Sequence, residues 1–214
     1  MIITVGGIKG GSGKTTIATH LAILRATAGK DVVLVDADDQ ETASDFTLLR
    51  NERSQGEAGY SCIKLNGPAV RTEVLRIKSK YDDVIIDTGG RDTTSQRAAL
   101  TASDLLLVPF VPRTFDIWTV EKVVNLVEEL RPANPNLTTL IFLNRADPRG
   151  LDNQEAIDLL REYTALSLIP TSLGTRKAFG NAASQGLAVT ELKPHDEKAI
   201  NEVKALYQYV FGIS

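Results

Sequence analysis

The chain has 214 residues, 43% hydrophobic and 24% charged, with a net charge of −3. That length suits one good-sized α/β domain over 1–214, and the charge balance gives no global sign of nucleic-acid or membrane binding, although a local basic face stays open. The single cysteine, Cys62, excludes an intramolecular disulfide framework and a four-cysteine metal or iron–sulfur site within one chain.

In chain order, IITV (2–5) is the first expected strand, followed by DVVLVDA (31–37), DDVIIDT (82–88), DLLLVPF (104–110), TTLIFLN (138–144) and the shorter LSLIP (166–170). These runs are apolar without clean alternation, which suits strands covered on both faces. Helical patterns at 14–28, 116–130, 153–163 and 197–211 separate them. In 116–130 an apolar stripe of Ile117, Val120, Val124 and Val127 stops before Pro132, with Trp118 just off it and expected in the core. The polar stretch 50–67 is expected to be a surface segment. Strand–helix alternation of this kind implies a mostly parallel twisted sheet with helices on both faces. No charged and apolar leader precedes the first strand, and no run reaches about 18 apolar residues, so a reduced cytoplasmic protein is expected.

In such sheets ligands bind beyond the carboxyl ends of the strands. The first of these ends reads GGIKGGSGKTT (6–16). It nearly fits the phosphate-binding pattern G-x-x-x-x-G-K-[ST], but Ile8 stands where the first glycine belongs, and Lys9 precedes Lys14 by five residues. Gly10, Gly11 and Gly13 let the backbone curl with its N–H groups inward, and the helix opening near Lys14 adds a positive N-terminus. In this pattern the loop from Gly10 through Ser12 to Thr16 cradles phosphates, Lys14 neutralises the β- and γ-phosphates, and the Thr15 hydroxyl ligates magnesium.

Magnesium takes oxygen ligands and keeps several waters, so an acid should close a nearby strand. Asp87 in YDDVIIDTGG does so and is expected to act through a water; Gly89 and Gly90 let the backbone there approach the γ-phosphate. At the end of the second strand, in VDADDQ, Asp36 and Asp38 are two apart and share a face if extended. One can serve the magnesium shell and the other orient an attacking water; Asp39 reads as a solvated turn charge. His20 and His195 lack metal-ligand spacing and read as structural.

With these residues in place the sequence resembles the ParA/MinD family of deviant Walker-A ATPases, most closely its short partition members. Residues 9–16, KGGSGKTT, match the family loop K-G-G-x-G-K-[ST]-[ST] throughout, and VDADDQ, IDTGG, LNR (143–145) and IPTSLGTRKAFGNAASQGLAV continue the likeness over nearly the whole chain. The resemblance implies a P-loop fold of deviant Walker-A type, ATP and Mg2+ as ligands, and slow ATP hydrolysis. It implies that Lys9 reaches across an ATP-bound homodimer to the partner's phosphates and that Asp38 helps activate water. Asn144 would read the adenine, with Pro170 beside the base. Position 39 departs from the family's usual proline, and TGGRD replaces a commoner pair of prolines, so that Arg91 and Asp92 stand in the second switch.

Among the family's branches, the iron-protein branch needs two cluster cysteines and is excluded. The last helix has a stripe of Ile200, Val203, Tyr207 and Val210, but its charges sum to zero, so core packing is expected rather than membrane attachment. The first expected strand opens the sequence, so no N-terminal helix-turn-helix is expected. The leading expectation is therefore a switch for partitioning plasmid or chromosomal DNA, cytoplasmic and nucleoid-associated, stimulated by a ParB-type or other cargo adaptor. Non-specific DNA would be held by scattered cations, with Arg176 and Lys177 as candidates. The alternatives are the same engine carrying a protein cargo, and a nucleotide-gated scaffold with little turnover.

Overall fold

The computed structural model describes residues 1–112, 117–147 and 152–212. Its strands are β1 (Ile2–Val5), β2 (Val32–Ala37), β3 (Ser61–Lys64), β4 (Asp83–Thr88), β5 (Leu105–Phe110), β6 (Thr138–Ala146) and β7 (Ser167–Gly174). Between and after them come α1 (Lys14–Thr27), α2 (Thr42–Arg53), α3 (Ala69–Ile77), α4 (Thr94–Leu100), α5 (Ile117–Leu130), α6 (Asp152–Arg161), α7 (Lys177–Ala183) and α8 (Glu197–Phe211). The strands make one seven-stranded sheet in the order β3-β2-β4-β1-β5-β6-β7, with every pairing parallel.

The apolar runs are continuous because alternate residues enter different cores. On one face Ile3, Val5, Leu34, Ile85, Leu107 and Phe142 pack with Ile17, Leu21, Leu206 and Val210 from α1 and α8. On the other, Val33, Val35, Val84 and Ile86 meet Val70, Val74 and Ala99 of α3 and α4. Next to them Leu106, Val108, Ile141 and Leu143 meet α5 and α6 through Val120, Val123, Leu126 and Leu160. Each fully buried aliphatic side chain of this kind contributes roughly 1.5–3 kcal/mol relative to exposure.

The six expected strands all form; β7 runs on to Gly174 because its register against β6 shifts by a bulge, carrying the chain past Pro170. The stretch 50–67 lies at the surface as expected, but it also holds the end of α2 and the edge strand β3, which among the described residues pairs only with β2 and is half-exposed, so its residues (SCIK) lack an apolar run. Cys62 is half-buried there. The helices α2, α3, α4 and α7 were also not expected. The side chains of Ile117 and Trp118 lie outside the described residues. The stripe on α8 packs inward, with Ile200, Val203 and Val210 buried and Tyr207 partly so. Among the described residues no helix is long and apolar enough to cross a membrane.

Candidate functional site

β1 lies between β4 and β5, so the loop that leaves it rises between two other strand ends. The chain enters α1 through Gly13, whose φ of 93° is left-handed and whose missing Cβ leaves room for the Asn144 amide against it. The Asn144 side chain donates to Ser12 O at 2.6 Å, holding the loop from beneath. Lys14 is only 6% exposed and folds back to donate to Lys9 O at 2.9 Å, while the Ser12 hydroxyl leans on the same carbonyl at 3.4 Å. Burial lowers the Lys14 pKa, and the negative charges of Asp87 and Asp38 oppose that shift.

Asp87 closes β4 directly opposite Asp36 of β2. It is fully buried, and neither carboxylate oxygen has a hydrogen-bond partner of good geometry. Its pKa is pushed up to about 7, first by burial and further by Asp36 and Asp38, against the pull of the Thr15 hydroxyl and Lys14. Two buried acceptors without donors, beside a threonine hydroxyl and below a phosphate-type loop, fit a hydrated magnesium ion, which would supply the missing positive charge.

Asp36 and Asp38 part company. Asp36 is buried and accepts from Ser44 N at 2.8 Å and Asp38 N at 3.2 Å, fixing the start of α2. Asp38 lies past the strand end in a bend, so the shared strand face expected for the pair does not form. A Cβ added to Gly89 would come 3.1 Å from Asp38 Oδ1, so this carboxylate sits over the second switch. Gly90 packs still closer: an added Cβ would lie 2.5 Å from Gly10 Cα and 2.8 Å from the carbonyl carbon of Lys9. The loop after β4 thus rests backbone-on-backbone against the phosphate loop.

Together these segments line a cleft of about 590 Å³ formed by Gly10, Gly11, Gly13 to Thr16, Asp38, Asp39, Gly89 and Gly90. Two arginines complete its rim: Arg91, expected in the second switch, and Arg145, which had no expected role. Arg91 follows Gly90, and Arg145 has a φ of 54° at the β6 bulge, which turns its backbone from the strand direction. Asn144 and Pro170 do not line this cleft: Asn144 is engaged by the loop, and Pro170 is exposed within β7. Lys9 is half-exposed at the loop's shoulder.

The other expected residues lie elsewhere. Arg176 is held by Glu202 in a two-point ion pair of 2.8 and 2.5 Å, so its charge is largely compensated. Lys177 is exposed at the start of α7 and lines an open groove with Lys193, His195 and Lys198. His20 is structural: its ring is buried, Nδ1 donates to Thr16 O at 2.6 Å and Nε2 accepts from Val189 N at 3.0 Å. His195 is exposed in that groove.

A glycine loop between a parallel strand and a helix, with a buried lysine and a buried strand-end aspartate, defines a P-loop nucleotide-binding protein. The family comparison agrees: the CobQ/CobB/MinD/ParA nucleotide binding domain matches residues 3–189, and the chain belongs to that family of P-loop ATPases. Similar proteins include the maintenance of carboxysome distribution protein A of Halothiobacillus neapolitanus, 24% identical over 97% of this chain and 95% of its own. The chromosome-partitioning ATPase Soj of Thermus thermophilus is 29% identical over 90% of this chain and 88% of its own. The fold matches the ATP complex of a Cyanothece McdA variant with a TM-score of 0.79, at 19% identity over 100% of this chain and 96% of that one.

Proposed function

We propose that this protein is an ATP-dependent, dimerising ATPase switch that partitions plasmid or chromosomal DNA. It binds non-specific DNA as the ATP-bound homodimer and hydrolyses ATP to ADP and phosphate when a ParB-type partner engages it. The observation that carries the reading is the presence of buried Lys14 and buried Asp87 under an intact KGGSGKTT loop, flanked by Asp38 over Gly89. In this reading the loop amides and Lys14 hold the phosphates, while Thr15 and, through water, Asp87 hold Mg2+. Asp38 orients the water that attacks the γ-phosphorus in line with the leaving oxygen. Lys9 crosses to the partner's phosphates, a cation in trans that ties dimerisation to the triphosphate. Asn144 turns from Ser12 toward the adenine, and Pro170 flanks the base.

The DNA face is the edge carrying Lys177, with the compensated Arg176 beside it, and the protein works in the cytoplasm on the nucleoid. A second reading, the same engine positioning a protein cargo, is favoured by the full-length likeness to a carboxysome distribution protein. Retention on random-sequence DNA, followed over time and salt with Mg-ATP or Mg-ADP, tests the proposal. ATP should give salt-sensitive retention that decays as ATP is consumed, and Asp38→Ala should stay bound longer. Equal retention with ATP and ADP at low salt would contradict it.

A further inference from the structure

The segment TGGRD carries a feature that the phosphate-loop chemistry does not use. Arg91 is exposed, lines the nucleotide cleft, and makes no hydrogen bond or ion pair among the described residues. Its neighbours on both sides are fixed. Gly90 is seated on Gly10 and Lys9 with no room for a Cβ. Asp92 grips Arg97 through two bonds of 2.7 and 2.6 Å, and Arg97 also meets Glu129 of α5 at 2.9 Å. Thr93 then caps α4 by accepting from Gln96 N at 3.1 Å. A loop pinned one residue before and one residue after Arg91 keeps it at the rim of the cleft that Gly10, Lys14 and Asp38 also line.

Charge gives this placement a purpose. The phosphate end of the cleft holds one buried cation, Lys14, against Asp38, Asp39 and the buried Asp87. A terminal phosphate adds more negative charge than Lys14 and one divalent ion offset. A planar guanidinium with unused donors suits phosphate oxygens, and Arg97 nearby is already committed to two carboxylates.

Building on the ATPase reading, we propose that Arg91 is a specificity-determining residue that contacts the terminal phosphate of the nucleotide bound in its own subunit. It makes the cleft favour triphosphate over diphosphate, with Asp92 as its positioning residue. The test is competition binding of ADP and the non-hydrolysable AMPPNP, with magnesium, at protein concentrations below dimerisation. Arg91→Ala, at an exposed position, should weaken AMPPNP binding about tenfold or more and ADP binding less than about twofold. Arg91→Lys should recover part of the preference, and Asp92→Asn should lose part of it. Equal losses for both nucleotides, no loss, or an effect seen only where the wild type dimerises would overturn the assignment. Wild-type protein that binds neither nucleotide would overturn the ATPase reading, and this inference with it. Wild type that binds normally while Arg91→Ala is unchanged overturns this inference alone.

Discussion

His20 shows how far a single side chain is committed by its surroundings. Its Nδ1–H must donate, because Thr16 O can only accept, and Nε2 must then stay unprotonated to receive the Val189 N–H. Burial pushes its pKa down to about 4, although the Thr16 bond and Glu191 oppose that. The groups facing it are the Phe179 ring and Glu191, whose own carboxylate resists the cost of burial through Arg50 and is held low. Unfolding returns the ring to its ordinary value near 6.5, so the unfolded chain takes up the proton first. The stability supplied by the neutral ring is therefore complete above about pH 6.5 and is lost as pH falls toward 4, on the order of 3 kcal/mol. His20→Gln should flatten the pH dependence of the unfolding free energy across that window, measured by urea titration at a series of pH values. A wild-type slope in the variant would contradict the assignment.

At the scale of elements, the tightest joint is between the phosphate loop and the loop after β4. Both sides of the Gly90 contact are backbone, so neither can yield by changing a rotamer. Gly90→Ala should leave the sheet folded, as seen by circular dichroism and a two-state urea transition, yet weaken ATP binding at least about tenfold. Unchanged affinity would show that the two loops separate freely. This joint was only half legible in the sequence. The glycines of TGG announced a close backbone approach, but which backbone they approached required the β4–β1 pairing. The same division runs through the fold. Strands buried on both faces were readable as Val/Ile/Leu runs, and KGGSGKTT placed the loop. β3 was hidden because an edge strand needs no apolar run. α2 was hidden because it opens on Glu41 at a φ of 54° with no side-chain cap, leaving no start signal. Asp87 was legible as a strand-end acid. The compensation of Arg176 by Glu202 was not, since it depends on a partner distant in sequence, nor was the lack of a partner for Arg91 among the described residues.

On the scale of the whole molecule, the parts around the cleft are tied together. Arg50 of α2 donates to Ala58 O, Gly186 O and both oxygens of Glu191, and His20 of α1 receives Val189 N–H. The helix leaving the phosphate loop, the helix after Asp38 and the segment around 186–191 therefore form one connected body. A change at Asp38 or the loop then has a covalent and hydrogen-bonded route to the α7 edge, which carries Lys177. In the proposed switch, triphosphate closes two such bodies together through Lys9. The most direct measurement is molar mass by light scattering with Mg-AMPPNP or Mg-ADP, for wild type and Lys9→Ala. Wild type should show twice the monomer mass with Mg-AMPPNP only, and Lys9→Ala should stay a monomer that still binds the nucleotide. A Lys9→Ala dimer as stable as wild type, or a wild-type mass that ignores the nucleotide, would contradict this switch.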